Sequence, residues 1–155
     1  MPTTRAQELR KTFDTLLAEL LRETGASRAT LRLDDPLHGF HSDDVVAEAV
    51  AQGEESMRGA GGINHRAAAT AQWLEQNRRL LVQNDFASGP AAPEKLRMHY
   101  RVKAQMLAPV IRDGRLDGWV SIHEAKSARR WSEADKAAIE RAAHMVVAEL
   151  SQTHP

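Results

Sequence analysis

The feature that most constrains the fold is a continuous strand–turn–strand–helix pattern over residues 104–150. Residues 104–111 form a largely apolar run that predicts a strand. The turn that follows contains Gly114, which supplies the positive φ that a short hairpin loop needs. Residues 116–124 predict the second strand. Ser132 then opens an amphipathic helix, because its hydroxyl can accept a hydrogen bond from a free N–H group of the first turn.

The chain before this unit also predicts alternating helices and strands. Residues 5–23 carry an apolar stripe at helical spacing, and residues 27–35 alternate with the period of two of a half-buried strand. Residues 45–51 fit a helix or a strand, and we interpret them as a strand. The other predicted elements are a helix over 64–77, a strand over 80–82 and a turn of helix over 94–99.

Composition limits the class of protein. The chain has 155 residues, with 21 basic and 21 acidic side chains and no cysteine. This length predicts one domain over residues 1–155. Balanced charge gives no indication of a nucleic-acid partner. The N-terminus lacks an apolar leader segment, and no apolar run is long enough to span a bilayer, so we expect no membrane partner and a cytoplasmic location.

The C-terminal pattern combines seven spaced residues: Pro109, Gly114, Gly118, Arg129, Trp131, Ser132 and Asp135. This pattern resembles the C-terminal half of a GAF domain, and a looser resemblance extends over nearly the whole chain. The resemblance implies a GAF-like α/β fold with a central antiparallel sheet of five to six strands. The terminal helices are expected on one face, with the ligand pocket and the central helix on the other.

Strand alternation selects candidate pocket residues. In the last strand, Trp119, Ser121 and His123 share one face, and this mixture of polar and aromatic groups is typical of a small-molecule pocket. Arg32 and Gln105 are the candidates on two other strands. Which sheet face carries the ligand stays open at this point. Arg32 and His123 could instead lie at strand ends in solvent.

Two loop segments add further candidates. Asn64, His65 and Arg66 lie at a predicted helix N-terminus, where free N–H groups and the helix dipole favour an anion. The alternative is a flexible loop with a surface cap. The resemblance implies that Tyr100 and Arg101 line or cover the pocket, although this segment could also be an exposed connection. Together with Arg32, these cationic segments are expected to converge on one mouth.

Other chemistry finds little support. His38 and His41 have a metal-like spacing, but they lie in a loop without a matched partner, so no metal is predicted. No serine has a nucleophile-elbow context, and no catalytic residue is assigned. The family that this chain resembles includes enzymes that reduce methionine sulfoxide and domains that attach bilins. Both depend on cysteine, so we predict no cofactor. A cyclic-nucleotide signature is not recognisable.

The leading hypothesis is a regulatory or sensor domain that binds a small anionic metabolite and acts through an unknown output protein. One alternative is a small enzyme that uses His123, His65 or Tyr100 as acid–base groups. The other is a dimerisation module without a ligand. The terminal helices can bury their apolar stripes on their own sheet or against a second copy, and we predict a homodimer through these helices.

Overall fold

The structure is a computed structural model that describes residues 4–58, 64–86 and 89–152. Within these residues the helices are α1 (Arg5–Thr24), α2 (Ala69–Asn77), α3 (Glu94–Met98) and α4 (Glu133–Leu150). The strands are β1 (Arg28–Leu33), β2 (Ala47–Val50), β3 (Leu81–Gln83), β4 (Ala104–Arg112) and β5 (Arg115–Glu124). Two short 3-10 helices cover Pro36–His38 and His65–Ala67.

The strands form one sheet in the order β2-β1-β5-β4-β3, and every neighbouring pair is antiparallel. The predicted antiparallel sheet is therefore confirmed, with five strands in the described part of the chain. The ambiguous residues 45–51 contain β2, so the strand interpretation of this segment is confirmed. Asn64 caps the 3-10 helix His65–Ala67 rather than a single long helix, and α2 begins only at Ala69.

The two faces of the sheet are covered by different helices. On one face, α1 and α4 pack against the alternating apolar residues of the strands, including Leu31, Val120 and Ile122, to form the main core. On the other face, α2 packs through Leu74 against Trp119 and its neighbours. The apolar stripe of α1 is buried in the main core of its own chain: Leu9, Phe13, Leu16, Leu17 and Leu20.

A junction around Arg129 explains why the family pattern places Arg, Trp, Ser and Asp before the last helix. The Arg129 guanidinium donates to Glu124 Oε1 at 3.1 Å and to Asp135 Oδ2 at 3.1 Å. It also stacks over the Trp131 ring, with 4.5 Å from Cζ to the ring centroid. Ser132 and Asp135 complete a reciprocal capping box at the start of α4. These residues fix the entry of α4 and do not contact the cavity described below.

Gly118 is required by the close approach of two strands. It pairs with Leu33 on β1 and with Val110 on β4. A Cβ atom at this position would lie 1.9 Å from the carbonyl oxygen of Arg32. Since this neighbour is backbone, only glycine lets β1 and β5 pair this closely next to Arg32.

Candidate functional site

A row of buried polar side chains crosses the sheet on the α2 side. The strand register aligns Arg28 with His123, His123 with Gln105, and Gln105 with Gln83. All of these residues are buried. Arg28 Nη1 lies 3.3 Å from His123 Nδ1, and Gln105 Nε2 donates to Gln83 Oε1 at 2.7 Å. Burying so many polar groups is costly unless they are hydrogen-bonded, so this row marks a specialised part of the core.

A small cavity of about 20 Å³ lies beside this row. It is bounded by the sheet on one side and, on the other, by the loops and short helices that lie over the sheet, which we call the cover. This volume leaves space for about one water molecule. The sheet contributes Thr30, Arg32, Gln105, Leu107, Trp119, Ser121 and His123 to the lining. The cover contributes Met57, His65, Thr70, Pro93 and Leu96. The cavity is therefore narrow in this conformation, and both polar and apolar groups face it.

Arg32 is the only Lys, Arg, Asp or Glu side chain among the described residues that line the cavity. It is 5% exposed, and its Nη1 donates to the carbonyl oxygen of Ser42 at 3.1 Å. No carboxylate of the described residues lies within 4.0 Å of its guanidinium. Burial lowers the pKa of Arg32 to about 10, although the charges of Asp44 and Asp43 oppose this shift. Arg32 is thus a buried cation without an ion-pair partner.

Both cavity histidines are neutral at physiological pH. Burial, together with the charges of Arg32 and Lys95, lowers the pKa of His65 to about 3. The pKa of His123 is lowered well below its usual value, mainly by burial and to a smaller extent by the positive charges of Arg28 and Arg32. A neutral imidazole offers one donor and one acceptor. The histidines therefore add hydrogen-bonding capacity to the cavity without adding charge.

Residues 54–58 form a strap that is part of the cover. Hydrogen bonds to Arg28, which belongs to the polar row, and to Glu48 hold this strap in place. Arg28 Nε and Nη2 both donate to the carbonyl oxygen of Glu55, at 3.0 and 2.8 Å. The buried carboxylate of Glu48 accepts from Ser56 Oγ at 2.5 Å and from the Met57 amide at 2.7 Å. These contacts place the Met57 side chain over the cavity.

The structure brings together most of the predicted site residues. The predicted residues that line the cavity are Arg32, His65, Gln105, Trp119, Ser121 and His123. Arg32 and His123 are buried, so they do not lie in solvent at strand ends. The cavity that these residues line lies on the α2 side of the sheet.

The remaining predicted residues lie elsewhere. Tyr100 is buried beside the cavity, where its ring contacts Arg28 at 5.1 Å from Cζ to the centroid. Arg66 donates from Nε to Asp34 Oδ2 at 2.7 Å and lies 3.7 Å from Glu75, so its charge is already balanced. Asn64 and Arg101 are exposed and do not line the cavity. The predicted cationic segments therefore do not share a single mouth.

Sequence reasoning missed Arg28, Thr30 and the apolar cover residues as parts of this site. Arg28 and Thr30 lie on the same face of β1 as Arg32, so an extension of the alternation by two steps would have found both. Met57 comes from a loop and Leu96 from the five-residue helix α3, and both segments are too short to carry a periodic signal. No pattern in the sequence indicates that they cover the cavity.

Comparisons with known proteins agree with this architecture. A family model for the GAF domain matches residues 8–150. The solved structure of the cyanobacteriochrome receptor PixJ is 22% identical, with a TM-score of 0.78, and the match covers 97% of this chain and 100% of that chain. The PixJ GAF domain of Thermosynechococcus elongatus in its blue-light absorbing form is 20% identical, with a TM-score of 0.72 and coverage of 96% and 90%.

A third solved structure shows the far-red absorbing dark state of JSC1_58120g3 with bound biliverdin IXα. It is 20% identical, with a TM-score of 0.71 and coverage of 96% of this chain and 94% of that chain. No sequence match was found among curated proteins. At these identities the structural matches show the fold alone.

The fold, the cavity between sheet and central helix, and the family match together define the class: this chain belongs to the GAF domain family. The GAF domain is a sensory and regulatory fold. None of the helices in the described ranges is both long and apolar enough to cross a membrane.

Proposed function

We propose that this protein is a sensor module whose cavity binds a small anionic metabolite and whose bound state is passed to an output protein. The observation that carries this proposal is the buried, unpaired guanidinium of Arg32 in the cavity lining. An uncompensated buried charge is costly, and an anion in the cavity would offset that cost. Neutral His65 and His123 and the hydroxyls of Ser121 and Thr30 would supply further hydrogen bonds.

The proposal can be tested by thermal denaturation in the presence of small carboxylates and inorganic oxyanions. An anion that binds only the folded state raises its stability by mass action, by about 2.7 kcal/mol at a hundredfold excess over Kd. We expect at least one anion to raise the melting temperature of the wild type and not of Arg32→Gln. Arg101→Gln is the matched control, since it removes an exposed arginine outside the cavity. A panel that shifts nothing, or a shift that survives Arg32→Gln, would overturn the proposal.

An enzyme that uses the cavity histidines is the alternative that this geometry supports least. A general acid–base catalyst works best with a pKa near the operating pH. The pKa of His65 is about 3, and that of His123 is well below its usual value. Both imidazoles are therefore weak bases at neutral pH. They are better suited to donate and accept hydrogen bonds to a ligand.

A bilin is a second candidate ligand because one of the similar structures contains biliverdin IXα. Two observations weigh against it in this chain. The cavity has a volume of about 20 Å³, against several hundred Å³ for ordinary ligand pockets. The chain also lacks the cysteine through which a bilin could be attached. Incubation with biliverdin, followed by absorbance spectroscopy of the purified protein, tests this candidate, and we expect no bound pigment.

A further inference from the structure

The cavity lining carries one full charge, and this limits the charge of its ligand. Arg32 is the only formally charged side chain that lines it within the described residues. Arg28 is buried next to the cavity but is not part of its lining, and three of its five N–H donors face Glu55 O and His123 Nδ1. A ligand with one negative charge is balanced by Arg32. A second negative charge would find no second cation among the described lining residues, and an unbalanced buried charge is strongly unfavourable.

The geometry of His123 also shows that it adds no charge. A guanidinium has only N–H donors, so the Nδ1 atom that faces Arg28 Nη1 must be an acceptor. The ring proton of His123 then lies on Nε2. His123 can donate one hydrogen bond to a ligand oxygen without becoming a cation. The site is thus built for one carboxylate-like group that accepts from Arg32 and from neutral donors.

The apolar part of the lining indicates what the rest of the ligand contains. Leu107 and Trp119 come from the sheet, whereas Met57, Pro93 and Leu96 come from the cover. Apart from the half-buried Pro93, these side chains are already buried, so a phosphate or another fully polar anion would lie against them without any gain from apolar burial. A carboxylate with an apolar body would gain the burial of that body, at roughly 25 cal/mol per Å².

The cover can yield to a small body. Met57 and Leu96 belong to a minor apolar cluster with Tyr100, separate from the main core between α1, α4 and the sheet. Met57 is unbranched and can change rotamer at low cost. A ligand whose apolar body is a ring or a short branched chain would enter by displacing the side chains of Met57 and Leu96 from the narrow cavity. A large ligand would have to disrupt the polar row as well.

We infer that the ligand is a monocarboxylate with a small apolar or aromatic body, and not a phosphate or a dicarboxylate. This inference rests on the proposed anion binding at the same cavity. Benzoate is a suitable probe because it combines one carboxylate with one flat apolar ring. Its neutral isostere benzamide removes the charge and acetate removes the apolar ring, whereas inorganic phosphate lacks both the carboxylate and the ring.

The experiment is calorimetric titration of the unaltered protein near neutral pH. We expect benzoate to bind at least about tenfold more tightly than benzamide, acetate or phosphate, which corresponds to about 1.4 kcal/mol. Isophthalate should bind more weakly than its monomethyl ester, which has a similar size and only one charge. We also expect Arg32→Gln to lose benzoate binding and Arg101→Gln to keep it. The ligand series uses only wild-type protein, so its result stands even if Arg32→Gln fails to fold.

The outcomes separate this inference from the proposed function. Tighter binding of phosphate or isophthalate than of benzoate would overturn the inference that the ligand is a monocarboxylate. The proposed function as an anion sensor would still stand. Equal binding of acetate and benzoate would overturn the apolar body. Benzamide binding as well as benzoate, or binding of no anion in the series, would overturn both the inference and the proposed function.

Discussion

Nη1 of Arg28 lies 3.3 Å from Nδ1 of His123, and this contact is fully buried. It connects the cavity to the strap, because the same guanidinium donates twice to the carbonyl oxygen of Glu55. One side chain of β1 thereby fixes the tautomer of a cavity histidine and the position of the backbone that covers it. The Arg28 guanidinium is thus a positioning group for the site.

The first prediction concerns the tautomer of His123. We expect its neutral form to carry the proton on Nε2, because Nδ1 accepts from Arg28. Nitrogen-15 NMR of the histidine rings distinguishes the two tautomers. In Arg28→Leu, loss of the nearby positive charge should raise the pKa of His123, although burial should still hold it below its usual value. A proton on Nδ1 in the wild type, or unchanged titration in Arg28→Leu, would contradict this description of the contact.

The second prediction concerns stability and pH. The pKa of His65 is about 3 in the folded protein, against 6.5 as its ordinary value, so the unfolded chain binds more protons between these pH values. The stability that neutral His65 contributes is therefore fully present above about pH 6.5 and falls as the pH decreases towards 3. His65 alone should lower the free energy of unfolding by about 2 kcal/mol when the pH falls from 8 to 5. His123 acts in the same direction, since its pKa is also lowered.

Urea denaturation at several pH values measures this dependence. His65→Asn should flatten the curve between about pH 6.5 and pH 5, because the substituted side chain does not titrate. His144→Asn is the matched control, since His144 is exposed on α4. If His144→Asn flattened the curve and His65→Asn did not, the buried histidine would not be the source of the pH dependence.

The periodic parts of this chain were predictable from sequence and the connecting parts were not. The period-two alternation of β5 correctly separates Val120 and Ile122 from Trp119, Ser121 and His123. The apolar stripe of α1 predicts its buried face correctly for the same reason. These predictions succeed because a regular backbone imposes a fixed direction on each side chain.

Prediction failed where long-range pairing decides the role of a residue. Arg66 lies at a predicted helix start and suggested an anion site, but Asp34, which is distant in sequence, binds its guanidinium at 2.7 Å. Arg28 holds Glu55 through backbone contacts that no local pattern encodes. Residues 59–63, which include part of the glycine-rich segment before Asn64, lie outside the described residues.

The third prediction concerns Gly118. An added Cβ would lie 1.9 Å from the backbone oxygen of Arg32, so Gly118→Ala should push β1 away from β5. We expect a loss of unfolding free energy of about 3 kcal/mol, at the upper end of typical overpacking costs. Gly114→Ala is the comparison, because its Cβ would meet open space while its φ of 77° still disfavours alanine. Urea denaturation should give a much lower free energy of unfolding for Gly118→Ala than for Gly114→Ala. The reverse order would contradict the close approach of β1 and β5.

The fourth prediction concerns assembly. The homodimer through α1 and α4 stays a prediction, but the α1 stripe is buried in its own chain, and Leu16 at its edge reaches the surface that these helices share. The exposed surface shared by these helices is a shallow groove lined by Thr12, Thr15, Leu16, Glu19, Met145 and Glu149. Met145 is 47% exposed there, so we expect Met145→Glu to dissociate the dimer. Met98→Glu is the control, since Met98 is 69% exposed on α3. Sedimentation of a monomeric wild type, or of a dimer that tolerates Met145→Glu, would contradict this prediction.

The central claim is that Arg32 is the cation that binds the ligand anion. The most direct test is the NMR signal of the Arg32 Nε–H group, assigned by its loss in Arg32→Lys, during titration with benzoate. We predict a saturable shift of this signal at the same concentrations that raise the melting temperature, with the signals of Arg66 and Arg101 unchanged. A saturable shift at Arg66 or Arg101, with Arg32 unaffected, would contradict the claim.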